Sequence, residues 1–191
     1  MDKQVKFYQS LPAVALGTGL LLMVPLVAMQ FTDQVDWSVF DFIIAGALLF
    51  GTGVLFVLVV RVTENIVFKC AMVLALGATF LMIWANLAVG LIGSGPNPGN
   101  LMYIGVIAVL IIGIYLSRFK PAALERAMFG TAFALLLLVV IALLANMHKY
   151  PQSSVIEIIG VNLFFATPYV VSGLLFRYVA QRSPSPNETE V

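Results

Sequence analysis

The side chains able to do chemistry in this sequence fall into three sparse groups. The densest runs from Thr79 to Tyr103 and holds Trp84-Ala85-Asn86, Gly90, Gly93 and the stretch Ser94-Gly95-Pro96-Asn97-Pro98-Gly99-Asn100. Asn86 falls inside an apolar run, where a side-chain amide needs a partner. The simpler reading is a hydrogen bond to another helix, of about 0.6–2 kcal/mol; the functional reading is an amide facing a ligand. Trp84 is two residues away and points to a different helical face, so the two need not form one site. The turn residues Ser94, Asn97, Pro98, Asn100 and Tyr103 read as a tight hairpin in which Asn100 caps the following helix. The alternative is a loop dipping back into a membrane to line a cavity. Such a loop must be covered by protein, because lipid cannot satisfy its backbone groups.

The second group is Asn162, Thr167, Pro168 and Tyr169. Asn162 and Tyr169 are seven apart and share roughly one helical face; packing against Asn86 would bury two amides together. The third group is Asp33, Asp36, Asp41, His148 and Glu157, with Trp37 and Tyr150 beside them. His148 and two carboxylates are ligand types that a metal accepts. However, Asp41 and Glu157 also stand where acids stabilise helix amino termini, and the spacing is not diagnostic. The low-weight cluster Asp41, His148 and Glu157 is therefore read first as helix starts and loop charge.

The absences narrow the chemistry further. No apolar run carries a charged residue near its middle, whereas ion-coupled transporters and proton pumps keep such residues despite their cost. No lysine lies mid-span to carry a retinal Schiff base. One cysteine, Cys70, and one histidine leave no internal disulfide, thiolate cluster or bis-histidine haem. Cys70 reads as a small apolar packing residue. No cofactor is expected, and an enzyme using the outer carboxylates and His148 is the third and least favoured functional reading.

The elements holding these groups follow from composition. Of 191 residues, 61% are hydrophobic and 10% charged, against about a quarter charged in a soluble domain. Residues 11–32, 42–60, 70–117, 127–147 and 158–176 contain no Asp, Glu, Lys, Arg or His. A helix of about 20 apolar residues crosses the ~30 Å hydrocarbon core, and the longest window crosses twice around its Gly/Pro/Asn-rich centre. The fold class is an all-α integral membrane protein with six transmembrane helices, spanning about 11–31, 41–61, 70–93, 101–118, 127–147 and 157–177. Residues 1–180 are expected to form one membrane domain and 181–191 a disordered cytoplasmic tail. The first run is too long for a signal peptide and lacks a small-residue cleavage site, so it reads as an uncleaved helix. Short loops imply that sequential helices pack as antiparallel neighbours. Gly17, Gly19, Ala45, Gly46, Gly51, Gly53, Gly105 and Gly113 mark the expected contacts, and Pro12, Pro25 and Pro168 kink or start helical segments.

Loop charge orients the chain. With the amino terminus inside, Lys3, Lys6, Arg61, Lys69, Arg118, Lys120, Arg126, Arg177 and Arg182 fall inside and only Lys149 outside. Both termini are therefore expected in the cytoplasm. A weak helical-hairpin repeat is also visible: Gly17-Thr18-Gly19, Gly77-Ala78-Thr79 and Gly130-Thr131-Ala132 recur in odd helices, and Asp41 to Arg61 repeats the spacing of Glu157 to Arg177. The net charge of +1 offers no basic patch for nucleic acid.

The stretch Trp84-Ala85-Asn86-Leu87-Ala88-Val89-Gly90, followed by Asn97-Pro98-Gly99-Asn100-Leu101-Met102-Tyr103, resembles a family of small, uncharacterised bacterial inner-membrane proteins. Those proteins carry a Trp-x-Asn-x-Ala-Val-Gly motif and an Asn-Pro-x-Asn-Leu-Met-Tyr continuation. Gly95 and Pro96 stand here in place of an acidic pair. The resemblance implies a bacterial inner membrane and adds no activity. The expected partners are the lipid bilayer and other membrane helices, from copies of this chain or from a partner membrane protein. The functional expectation is a non-enzymatic accessory or assembly subunit of a membrane complex. The alternative is a small oligomeric channel or facilitator for a neutral or lipophilic solute.

Overall fold

The structure, a computed structural model, describes residues 2–93 and 97–182, with side chains from Gln9 onward. Six helical segments are long and apolar enough to cross a membrane, the fourth counted from Pro98 to Ser117; the α-helices are α1 (Asp2–Ala28), α2 (Val39–Val62), α3 (Ile66–Ala88), α4 (Met102–Ser117), α5 (Pro121–Leu144) and α6 (Val155–Arg182). Short 3-10 turns, Pro98–Leu101 and Met147–Lys149, precede α4 and follow α5. There is no strand among the described residues.

Most helix boundaries differ from the expected spans, and where a helix runs beyond its charge-free window the reason is the same. A window without charge marks the part of a helix inside hydrocarbon, while backbone hydrogen bonding continues into the interface, where long cationic side chains reach water. Thus α5 starts at Pro121, whose missing N–H suits a first turn, and carries Glu125 and Arg126 as helical residues. Likewise α6 continues past Arg177 to Arg182, taking Gln181 and Arg182 out of the expected tail; the rest of that tail lies outside the described residues. α1 begins at Asp2 and ends at Ala28. α3 begins after the Asn65 cap, whose side chain accepts from the Phe68 N–H, and stops at Ala88, five residues before Gly93.

The chain divides into two units, residues 1–64 and 65–191. In the first, α1 packs on α2 through small residues. A Cβ at Gly53 would stand 2.6 Å from Val14 Cγ1, and one at Gly46 would stand 3.3 Å from Leu22 Cδ1. The Arg61 guanidinium donates to Ser10 Oγ at 2.6 Å. The α2 start is a capping box: Ser38 Oγ accepts from the Asp41 N–H, and the Asp41 carboxylate accepts from the Ser38 N–H.

In the second unit α3 packs on α6, α6 on α5, and α5 on α4. The expectation that sequential helices pack holds for α1–α2, α4–α5 and α5–α6 and fails for α3 and α4. Although α3 and α4 are consecutive, α6 takes the place beside α3. The α3–α6 seam holds Phe68 edge-on to Phe176 at 5.2 Å, Ser172 Oγ donating to Ala71 O at 2.8 Å, and a Thr79–Tyr169 hydroxyl pair at 2.8 Å. Gly113 meets Ala127 in the α4–α5 seam, and Gly173 faces the Phe129 ring between α5 and α6. Of the expected small-residue contacts, Gly46, Gly53 and Gly113 are used within the chain. A Cβ at Gly17, Gly19, Gly51 or Gly105 would meet nothing within 4 Å. Small size permits close approach without saying which face makes it.

Candidate functional site

Because α3 and α4 do not pack, the chain between them has to close the end of the unit, and amide side chains do this. The cap Val89 N–H returns to Ala85 O. Gly90 and Gly93 then take φ of 79° and 64°, the left-handed region that glycine enters without strain. The two residues between them turn their backbone N–H groups onto one atom: Leu91 N and Ile92 N each donate to Asn100 Oδ1 at 2.9 Å. Asn97 works in the other direction, donating through Nδ2 to Ile92 O at 3.1 Å and accepting the Gly99 N–H at 2.8 Å. Asn86 Nδ2 donates to Asn100 O at 3.2 Å. Asn86, Asn97 and Asn100 therefore tie the end of α3 to the start of α4 without direct helix packing.

This corrects the role given to Asn100. It does not cap α4, whose amino end has no side-chain cap; it is buried and caps the turn that follows α3. Asn97, rather than Asn100, caps the Pro98–Leu101 turn. Pro98 is exposed at the first position of that turn, while Ser94 lies outside the described residues. The loop between α5 and α6 closes over the same region. A Cβ at Gly99 would stand 3.1 Å from Met147 Sδ, and one at Gly93 would stand 3.2 Å from Tyr150 Cβ.

Below the turn, the space left by the missing α3–α4 contact is a cleft of about 750 Å³. Met82, Ile83 and Leu87 of α3 face Leu101, Ile104 and Ile107 across it, with Asn86 and Tyr103 among its lining residues. No Asp, Glu, Lys, Arg or His lines it. Asn86 Oδ1 is buried and has no hydrogen-bond partner among the described residues. A buried polar atom left unpaired costs about 1–3 kcal/mol, and the great majority of such atoms are paired.

The other sequence-selected residues go elsewhere. Asn162, fully buried, accepts the Tyr103 hydroxyl at 3.1 Å and donates to Ile158 O at 2.8 Å. The expected Asn86–Asn162 amide pair is thus replaced by Asn86–Asn100 and Asn162–Tyr103. Tyr169 shares the Asn162 face but turns its hydroxyl to Thr79. Asp41 serves a helix start, accepting from Ser38 N at 2.8 Å and Ser38 Oγ at 2.7 Å, while Glu157 stands in the first turn of α6 and its backbone N–H donates to Ser154 Oγ. His148 Nδ1 and Ser153 Oγ, in the α5–α6 loop, are buried without partners among the described residues. No three His, Cys, Asp or Glu side chains stand together as a metal-binding group among the described residues.

Sequence reasoning did not single out Thr79 as the partner of Tyr169, or Met82, Ile83, Ile104 and Ile107 as cleft walls. An apolar residue lining a cleft and one facing lipid look the same in sequence. In comparisons with known proteins, no family model, no curated protein and no solved structure matches this chain.

Proposed function

We propose that this chain is a multi-pass protein of a bacterial inner membrane that binds a small, uncharged, largely apolar molecule carrying one hydrogen-bond donor. The observation that carries the reading is Asn86 Oδ1, without a partner among the described residues, beside an uncharged, largely apolar cleft. The volume falls in the usual 300–1,000 Å³ range for small-molecule sites. It is too small for a partner helix, since a cylinder about 10 Å across rising 1.5 Å per residue would fit less than two turns. Charged ligands are disfavoured because no opposite charge lines the cleft to offset desolvation. Turning the Asn86 side chain would bring Oδ1 into the cleft, where a donor on the ligand, such as a hydroxyl, would pair with it and remove its penalty.

The geometry favours holding over passage. From Met82 to Ala88 the cleft follows about 9 Å of helix rise in a core of ~30 Å. Further polar groups, Tyr103 with Asn162 and Thr79 with Tyr169, are bonded to each other. A facilitator would have to open at least the first pair. The test is titration of a fluorescent long-chain alcohol into nanodisc-reconstituted protein, with the matching alkane as control. The expected result is saturable alcohol binding, abolished by Ile104→Trp, which fills the cleft. Unsaturable partitioning of both probes, unchanged by Ile104→Trp, would overturn the reading.

A second reading, an accessory subunit, is favoured by the open backbone at Gly17, Gly19, Gly51 and Gly105, where a helix of another protein can approach closely. Native mass spectrometry after gentle extraction tests it: a stoichiometric second protein supports it, and the chain alone refutes it. For orientation we propose that both termini are cytoplasmic, as the nine-to-one cation bias supports. A carboxyl-terminal alkaline phosphatase fusion should then be inactive; an active one would reverse the topology.

A further inference from the structure

The turn joining α4 to α5 is Arg118-Phe119-Lys120, and it reverses tightly enough to hold Arg118 and Phe119 at φ of 47° and 58°. Beside it the two helices leave a groove of about 440 Å³. The floor is made of small residues. A Cβ at Gly113 would stand 2.8 Å from Ala127 Cβ, so the helices touch there, while a Cβ at Gly130 would meet nothing within 4 Å. Val109, Ile112 and Leu116 form the α4 wall. The groove is graded in polarity. Ser117 and Arg126 line it toward the turn, whereas Val109 lies about 12 Å of helix rise beyond Ser117.

The charge at this end is unbalanced. Among the described residues of the α4–α5 turn, the first turns of α5 and the last turns of α6, Arg118, Lys120, Arg126, Arg177 and Arg182 stand with one acid, Glu125. That acid lies 3.9 Å from the Arg177 guanidinium. Arg126 donates through Nε to Ala122 O at 3.3 Å, and its guanidinium has no ion pair among the described residues. Ser117 is occupied by the Ile114 carbonyl and the Phe119 N–H, leaving Arg126 as the groove's one charged recognition group. A groove that is cationic at the interface and apolar toward the hydrocarbon matches a molecule with an anionic head and an acyl chain. Basic sites between membrane helices select anionic headgroups in this way.

We propose that the α4–α5 groove seats one anionic phospholipid, its phosphate on Arg126 and an acyl chain along Gly130 and Ile112. Native mass spectrometry of the full chain, presented with equal phosphatidylglycerol and phosphatidylcholine, tests it. The expected result is one retained phosphatidylglycerol. Arg126→Gln should lower the preference about fivefold, the weight of one basic residue at a membrane surface. Arg182→Gln should leave it unchanged, since that guanidinium sits over the Tyr178 ring at 4.3 Å. Gly130→Leu should expel the lipid; Ile112→Trp fills the groove from the other wall if the first variant does not fold. Equal retention of the two lipids would overturn the proposal, as would equal losses in Arg126→Gln and Arg182→Gln. Full binding with the groove filled would overturn it too, by assigning the phosphate to the headgroup region alone.

Discussion

The Tyr103 hydroxyl donates to Asn162 Oδ1 at 3.1 Å, with both side chains buried, and so joins the first turn of α4 to α6 across the helix order α3–α6–α5–α4. Asn162 Nδ2 is held by Ile158 O, which fixes the amide's orientation and presents its oxygen to the tyrosine.

The first prediction concerns this pair. Tyr103→Phe leaves Asn162 Oδ1 buried and unpaired, at a cost of about 1–3 kcal/mol. A double-mutant cycle of Tyr103→Phe with Asn162→Leu, followed by denaturant unfolding in micelles, should give a coupling of about 0.6–2 kcal/mol. Strict additivity would show that the bond contributes nothing to stability.

Asn86 should separate stability from binding. Asn86→Leu removes an unpaired oxygen, and Asn100 O keeps the Met102 N–H as a donor. Unfolding free energy should therefore change by less than about 1 kcal/mol. Affinity for a long-chain alcohol should fall at least about fivefold, the loss of one hydrogen bond. A large loss of stability with unchanged alcohol affinity would make Asn86 a structural residue only.

Asn100 should behave in the opposite way. Asn100→Ala strips the acceptor from two buried N–H groups, at about 1–3 kcal/mol each. Hydrogen exchange read by mass spectrometry should accelerate in the segment containing Leu91 and Ile92, with the α5–α6 core protected as before. Unchanged exchange there would mean that the turn holds itself.

Glycines divide by what surrounds them. Gly113→Val places a branched side chain where a Cβ alone would be 2.8 Å from Ala127, so α4 and α5 must separate, at about 1–3 kcal/mol. Gly105→Ala meets nothing and should leave stability unchanged or raise it by up to about 1 kcal/mol. Thermal unfolding in detergent distinguishes the two. Equal effects would show that the α4–α5 contact is not close in the folded protein.

Much of this molecule was legible in the residues alone. Five runs free of charge, the longest crossing twice, dictate six helices because an unpaired charge or backbone group in hydrocarbon is too costly, and that penalty is local. The polar residues that matter, Asn86, Asn97, Asn100, Tyr103, Asn162 and Tyr169, stood out for the same reason: each is expensive unless paired. Their partners were not legible. Asn86 and Asn162 read equally well as mates, and only the packing of α6 beside α3 gave Asn162 to Tyr103 and Asn86 to Asn100. Nor does any residue type announce that α3 and α4, consecutive in the chain, stand apart and leave a cleft. Hydropathy measures what a side chain avoids, and every apolar face avoids water equally well against lipid, a neighbouring helix or a bound molecule. The choice among these depends on shape complementarity between segments far apart in sequence, and it exists only in the tertiary structure.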